Sequence, residues 1–130
     1  MATHTSLSDA PAGKAFVLHT GNVILSLKEL SESLKTMPDE IFHYHVNSEK
    51  NDFSNWIKGV FKEKELAESV SGVKNKQKMA DLIKKRIFFL ESLKKIDESN
   101  SQGILRSAMV DFAIGIIIGA IIGIIIGTFI

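Results

Sequence analysis

Residues 112–130 read FAIGIIIGAIIGIIIGTFI, a run of nineteen residues that has no charge and includes ten Ile. At a rise of about 1.5 Å per residue, a helix of this length spans roughly 28 Å, close to the hydrocarbon thickness of a bilayer. Such a helix is apolar on every face, so it must lie in lipid or be buried by protein. The sequence therefore predicts a single C-terminal transmembrane helix over 108–130.

A glycine occupies every fourth position of this run: Gly115, Gly119, Gly123 and Gly127. Helices in lipid associate through close backbone packing, which small residues at this spacing allow. The repeat therefore predicts homo-oligomerisation, with an inert Gly-rich anchor as the alternative. A ring of such helices could also form a pore or disrupt a membrane, gated by the soluble domain, although a lumen lined by Ile would tend to exclude water.

The residues that lead to this run are basic, since residues 74–95 hold eight Lys and Arg against Asp81 and Glu91. Lys and Arg favour the cytoplasmic side, so we expect a single-pass, tail-anchored membrane protein whose N-terminal domain is cytoplasmic. Contact with anionic lipid headgroups is one explanation of the basic residues, and a solvated helix face explains them equally well. The residues expected at the membrane surface are Lys84, Lys85, Arg86, Lys94, Lys95 and Arg106.

Composition and motifs exclude several function classes. The chain has no Cys, which excludes disulfides, thiol catalysis and Cys-type zinc sites. It contains no nucleophile elbow, phosphate loop, dinucleotide fingerprint or paired catalytic carboxylates. No aromatic residues alternate with the Lys residues to stack on bases, which argues against nucleic acid. We therefore expect a protein that is not an enzyme and has no cofactor and no metal. The expected partners are the lipid bilayer, further copies of the chain and a cytoplasmic protein.

The remainder of the chain predicts a small helical bundle. Residues 26–29 (SLKE) have the form of a capping box, and Pro38 predicts a break before the next helix. The apolar residues of the first helix fall on one face: Leu27, Leu30, Leu34 and Met37. The fold class expected is all-α, with a short strand at 16–19 as an alternative to helix. The domains expected are a flexible tail over 1–13, a soluble helical domain over 14–97 and a polar hinge over 98–107.

Two His residues precede a carboxylate and an indole in the middle of the chain: His43, His45, Asp52 and Trp56. On a strand His43 and His45 would face the same way and could bind a metal or a ligand. On a helix they point about 200° apart and cannot share a site. The structural interpretation is favoured: Asp52 or Asn51 caps the next helix, and a hydrogen-bonded His packs beside Trp56.

The same region carries a family resemblance, in FHYHV at 42–46, NDFSNWI at 51–57 and ELA at 65–67. It resembles a small prokaryotic helical domain family of uncharacterised function. Members of that family share an early Phe-x-x-x-x-Gly, met here at 16–21, and an aromatic-His followed by Asn-Asp-Phe-x-x-Trp. The resemblance covers about residues 14–95. It implies a bacterial or archaeal host and a nearly all-α domain, and it assigns no catalytic residue.

The leading hypothesis is a non-enzymatic scaffold or adaptor. In this hypothesis a glycine-rich transmembrane helix drives homo-oligomerisation and displays the helical domain to the cytoplasm. The pore-forming oligomer is the second hypothesis. A membrane-tethered enzyme or ligand sensor that uses His43, His45 and Asp52 is the third.

Overall fold

The computed structural model of the chain describes the backbone of residues 6–129 and the side chains of residues 6–103. Contacts within the chain define two units, Met1–Ser92 and Leu93–Ile130. The first unit contains the strands, the shorter helices and the hydrophobic core, and the candidate site lies within it.

The first unit begins with a two-stranded antiparallel hairpin formed by β1 (Phe16–Val17) and β2 (Val23–Ile24). Phe16 lies opposite Ile24 and Val17 opposite Val23, so Phe16 and Ile24 face the core and the two Val side chains face outward. The turn closes when the N–H of Gly21 donates to the C=O of Leu18 at 2.8 Å. Gly21 has a φ of +92°, a left-handed conformation that only glycine adopts without strain.

The first helix, α1 (Leu27–Thr36), begins where the sequence predicts a capping box. The Ser26 hydroxyl accepts a hydrogen bond from the N–H of Glu29 at 3.1 Å. The Glu29 carboxylate accepts from the N–H of Leu25 at 2.7 Å, one residue earlier than in the usual reciprocal pair. The capping box is therefore confirmed, and it joins the end of the hairpin to the helix.

Three short helices follow, namely α2 (Asp39–His45), α3 (Asp52–Phe61) and α4 (Lys64–Ser71). The predicted break at Pro38 is confirmed, since Pro38 immediately precedes α2. Asn51 caps α3, with its side-chain oxygen accepting from the N–H of Ser54 at 3.0 Å. The Ser54 hydroxyl in turn donates to the C=O of Ala67 at 2.7 Å, which holds α3 against α4.

The last helix, α5, is assigned over Lys76–Phe129, and its first part packs into the first unit. Lys76 ties its start to the α1–α2 junction, since the ammonium contacts Asp39 at 2.7 Å and the C=O of Met37 at 2.5 Å. The Ser31 hydroxyl of α1 donates to the C=O of Ala80 at 3.1 Å. Polar contacts therefore fix α5 beside α1 in addition to apolar packing.

One hydrophobic core joins these elements, with side chains from the hairpin and from all five helices. Its largest fully buried side chains include Phe42, Phe53, Phe61, Leu27, Leu30, Leu34, Ile57, Met79 and Ile83. The predicted apolar face of α1 is confirmed, since Leu27, Leu30, Leu34 and Met37 are all buried. This packing fixes the hairpin relative to α1 and α2.

A buried carboxylate connects the N-terminal residues to α5. Glu63, only 6 % exposed, accepts a hydrogen bond from the Ser6 hydroxyl at 2.6 Å and one from Arg86 Nε at 2.7 Å. Arg86 also lies 3.6 Å from the carboxylate of Glu65. A buried charge needs such partners because losing its hydration is costly.

The structure corrects the predicted fold class of an all-α bundle followed by a single transmembrane helix. The domain is mostly helical with a two-stranded sheet, because the turn at Gly21 returns the chain so that Val23 and Ile24 pair with β1. Among the residues whose side chains are described, no helix is long and apolar enough to cross a membrane. In that part of α5, charged residues recur at least every five positions from Lys76 to Glu98.

The structure describes residues of two segments that the sequence places at domain boundaries, the tail over 1–13 and the hinge over 98–107. Two described residues of the predicted tail contact the domain. The Ser6 hydroxyl donates to Glu63, and the N–H of Ala10 donates to the C=O of Leu25 at 2.6 Å. The polar segment 98–107, predicted to be a hinge, is helical. Its Ser, Asn and Gln residues are tolerated in a helix interior at a small cost in propensity.

We expect Arg86→Met to lower the free energy of unfolding by about 3 kcal/mol, because it leaves the buried Glu63 carboxylate without its charged partner. Chemical denaturation followed by circular dichroism measures this change. Lys85→Met is the matched control, since Lys85 is exposed and its loss should change stability by less than about 0.5 kcal/mol. Equal stability of the two variants would contradict the role assigned to Arg86.

Candidate functional site

The two predicted His residues lie on helix α2 and do not share a site. His43 is exposed, whereas His45 is 4 % exposed and faces the core. This is the helical alternative of the sequence analysis, in which residues two apart point in different directions. Within the described side chains, no group of three or more His, Cys, Asp or Glu residues is placed to hold a metal ion.

Both ring nitrogens of His45 are engaged in hydrogen bonds. Nε2 accepts from the backbone N–H of His19 at 3.0 Å, and Nδ1 lies 3.0 Å from Oδ2 of Asp52. Because Nε2 accepts, the proton of the neutral ring belongs on Nδ1, which then donates to the Asp52 carboxylate. His45 therefore has no free nitrogen to act as a base or as a metal ligand in this arrangement.

Aromatic side chains surround the His45 ring. Its centroid lies 5.1 Å from that of Phe16, 5.4 Å from Phe53 and 5.0 Å from Tyr44. Trp56 contacts Phe16 at 5.6 Å, and its indole N–H donates to the C=O of Lys14 at 2.8 Å. Trp56 therefore anchors the residues before β1, and Phe16 is the aromatic neighbour that it shares with His45.

The loop between α2 and α3 brings Asp52 back to His45. The side-chain oxygen of Asn47 accepts from the N–H groups of Glu49 and Lys50, at 3.0 and 3.2 Å, and Val46 pairs with Asn51 as an isolated bridge. The Lys50 ammonium then reaches Asp52 at 2.9 Å. It also lies 4.8 Å above the Tyr44 ring, which stacks on His19 at 3.9 Å.

These contacts set the ionisation of Asp52. Partial burial raises the pKa of the carboxyl, but the hydrogen bonds from His45 and Lys50 and the positive charge of Lys50 outweigh it, so the pKa lies below its ordinary value of 3.8. Asp52 is therefore an anion at neutral pH. Of the two residues predicted as alternative caps of α3, Asn51 fills the position and Asp52 is the first residue of the helix.

A groove of about 620 Å³ lies between the hairpin and the α1–α2 junction. Its volume is in the range of typical ligand sites, roughly 300–1,000 Å³. The apolar part of its lining is Leu18, Val23, Ile24, Met37, Pro38 and Ile41, and the polar part is Thr20, Asn22, Ser33 and Thr36. No charged side chain lines it, so its chemistry suits binding rather than acid–base catalysis.

No sequence pattern predicted this groove. The signal available was the alternation Phe16-Val17-Leu18 and Val23-Ile24 on either side of Gly21, which indicates a hairpin with one face in the core. Strands of two residues give too short a pattern to distinguish a hairpin from a helix entry.

Of the predicted membrane-surface residues whose side chains are described, four are exposed and one is bound within the domain. Lys84 and Lys85 are exposed on the first unit, whereas Arg86 is bound to Glu63. Lys94 and Lys95 are exposed on the second unit. Arg106 and the four glycines, Gly115, Gly119, Gly123 and Gly127, lie outside the residues whose side chains are described. Self-association and pore formation through those glycines stay predictions.

Residues 12–90 match a family of unknown function, DUF5752, and the chain belongs to that family. This is consistent with the predicted resemblance to an uncharacterised small domain. No curated protein and no solved structure matches the chain.

We expect the stability supplied by Asp52 to be fully present above about pH 4 and to fall as the pH drops through the lowered pKa of Asp52, because protonation weakens its bonds to His45 and Lys50. Asp52→Asn should lower the free energy of unfolding by about 1–2 kcal/mol at pH 7 and flatten this acid dependence. Urea denaturation at pH 7 and at a series of lower pH values measures both effects.

The control for this experiment is Asp81→Asn, which removes an exposed carboxylate of α5. It should leave the stability at pH 7 and its acid dependence close to those of the unmodified chain. An Asp52→Asn variant with the acid dependence of the unmodified chain would contradict the role assigned to Asp52.

Proposed function

We propose that the domain of residues 6–92 is a non-enzymatic adaptor that binds an extended, uncharged segment of a partner protein. The binding site is the groove between the hairpin and the α1–α2 junction. This keeps the adaptor part of the sequence hypothesis and places it on described residues. The observation that carries it is the outward-facing main chain of Val23, between the hairpin turn and the bonded main chain of Leu25, beside an uncharged groove.

The edge of β2 offers main-chain hydrogen bonds. The N–H of Leu18 donates to the C=O of Asn22 at 2.8 Å, so the next pair, Val17 and Val23, is a non-hydrogen-bonded pair. The N–H and C=O groups of such a pair point away from each other, toward the outer edges of the ladder. Within the described chain no third strand pairs with β2. Val23 also lines the groove, so an added strand could bond to it there.

The groove lining indicates the chemistry of the bound segment. A charged side chain in the groove would lose hydration without gaining a partner of opposite charge. Apolar side chains would instead meet Leu18, Met37 and Ile41. Because alternate residues of an extended chain face the same way, we expect apolar residues at every second position of the partner segment.

Polar contacts support both sides of the groove. His45 holds the N–H of His19 in the hairpin turn, and Lys76 holds Asp39 and the C=O of Met37 at the α1–α2 junction. These contacts fix the two sides of the groove from the domain interior. A preformed groove binds with a smaller entropic cost than one that must be ordered by its partner.

We expect uncharged heptapeptides with alternating apolar residues to be selected from a random peptide library on the immobilised full-length protein. Val23→Pro should weaken their binding about ten-fold, because it removes one outward N–H without removing a ladder bond. Val23→Thr, which keeps the N–H and the branched shape, is the matched control. Isothermal titration calorimetry measures the dissociation constants.

A second variant tests the groove itself. Thr36→Trp places an indole in the lining from the exposed end of α1 and should compete with the bound segment. Binding of the selected peptides that is unchanged in both Val23→Pro and Thr36→Trp would contradict this site. Selection of charged peptides only would contradict the proposed chemistry.

A further inference from the structure

Phe88 is the most exposed of the large apolar side chains described, at 71 %. It lies on α5 within the first unit and does not line the groove beside β2. Its neighbour Phe89 is half exposed, and the Arg86 guanidinium lies 5.5 Å from the centre of the Phe89 ring. Phe88 has no comparable cover among the described contacts, so its ring is accessible to an interaction partner.

A depression of about 290 Å³ lies beside Phe88, between α1 and α5. Ile87 and Phe88 form the apolar part of its lining, and Ser31 lies on the α1 side. The remaining lining residues carry both signs of charge: Lys28, Lys35, Lys84, Glu32 and Glu91. The surface therefore combines a projecting aromatic ring, a space that a ring can enter and a rim of mixed charge.

Two of the charges flank Phe88 on its own helix face. Lys84 precedes Phe88 by four residues and Glu91 follows it by three, the spacings that place side chains on one face of a helix. Along this face of α5 a positive charge (Lys84) is followed by an aromatic ring (Phe88) and then by a negative charge (Glu91). A two-fold axis perpendicular to the helix at Phe88 reverses this order, so it sets each positive end against a negative end.

We propose that this face binds a second copy of the same chain, with the two α5 helices antiparallel and crossing at Phe88. In this dimer Lys84 of each protomer lies beside Glu91 of the partner subunit, and each Phe88 ring enters the depression of the other protomer. The interface is isologous, since both protomers contribute the same residues. It involves described residues only and does not depend on the glycine repeat.

Charge complementarity favours a second copy over other occupants. An anionic lipid surface would attract Lys84 but repel Glu91 and Glu32, which line the same depression. A partner of one net charge would match one end of the face and oppose the other. In a two-fold dimer, Lys84 of each protomer lies beside Glu91 of the partner subunit, so the charges at both ends of the face are matched.

The dimer goes beyond the proposed adaptor function and is independent of it. The groove uses Ser33 and Thr36 of α1, whereas the depression uses Lys28, Ser31, Glu32 and Lys35 of the same helix. These residue sets do not overlap. Loss of peptide binding and loss of the dimer are therefore separate results, obtained with different variants.

Charge reversal in the full-length chain tests the proposed pairing. Lys84→Glu alone places two like-charged pairs in the interface, and Glu91→Lys alone does the same with the opposite sign. Each should weaken self-association about ten-fold or more, measured by sedimentation velocity over a concentration series. The double variant restores the opposite charges and should recover the association of the unmodified chain.

Mixing the two single variants gives a sharper result. In a heterodimer of the Lys84→Glu chain with the Glu91→Lys chain, both cross-protomer pairs have opposite charges. The mixture should therefore associate although each component alone does not. Both substituted side chains are exposed, so the fold should be kept, which circular dichroism of each variant checks.

Cross-linking provides a second measurement, because the chain has no Cys of its own. In the antiparallel dimer, residue 84 lies one residue, about 1.5 Å, from the partner's Glu91 along the axis, whereas the two copies of residue 84 lie eight residues, about 12 Å, apart. A mixture of Lys84→Cys and Glu91→Cys chains should form disulfide-linked dimers under mild oxidation at least five-fold faster than either chain alone.

Association that is unchanged by Lys84→Glu overturns the proposal, and so does a double variant or a mixture that fails to associate. A dimer that cross-links equally well in the single-variant and mixed samples also overturns it, because the antiparallel register would then be wrong. Recovery in both the double variant and the mixture, together with faster mixed cross-linking, supports it.

Discussion

The buried ring of His45 connects three elements of the domain. It belongs to the last residue of α2, it accepts from the N–H of His19 in the hairpin turn, and it donates to Asp52, the first residue of α3. Leaving either nitrogen of a buried imidazole unpaired would cost a large part of the net stability of a small domain. His45 therefore holds the hairpin turn to α2 and α3, in addition to the core packing of Phe16 and Ile24.

The ionised Asp52 extends this constraint to the surface. Its carboxylate is shared between the buried His45 and the exposed Lys50, which also covers Tyr44. His45 lies in the protein interior, whereas Lys50 is exposed to water. Charge-assisted hydrogen bonds of this kind are stronger than neutral ones, so the loop of residues 47–51 is held by polar contacts rather than by apolar packing.

Sequence patterns predicted the features whose cause lies within a few residues. Ser26 and Glu29 define the start of α1, Pro38 marks the break before α2, and Asn51 was one of two candidate caps for α3. Because the other candidate was its neighbour Asp52, only the fold could distinguish the cap from the His45 partner. The contact between Glu63 and Arg86 joins residues 23 positions apart and has no local pattern that would reveal it.

The candidate site was harder to predict than the core. The hairpin strands have two residues each, too few for a periodic pattern, so the groove beside Val23 was not foreseen. The three faces of α1 also differ in how well their sequence predicts their role. The face with Leu30 and Leu34 is apolar and was predicted to be buried, whereas the faces with Thr36 and with Glu32 both read as ordinary solvent-exposed surface.

The bond between Ser6 and Glu63, which also binds Arg86, has a consequence for biosynthesis. Arg86 is added 80 residues after Ser6, which at about 5–20 residues per second takes roughly 4–16 s. During that interval α1 cannot reach its final arrangement, because Ala80 of α5, which binds Ser31, has not left the ribosome for most of it. The growing polypeptide therefore leaves the apolar face of α1, with Leu30 and Leu34, without α5 for seconds, long enough for a chaperone to bind it.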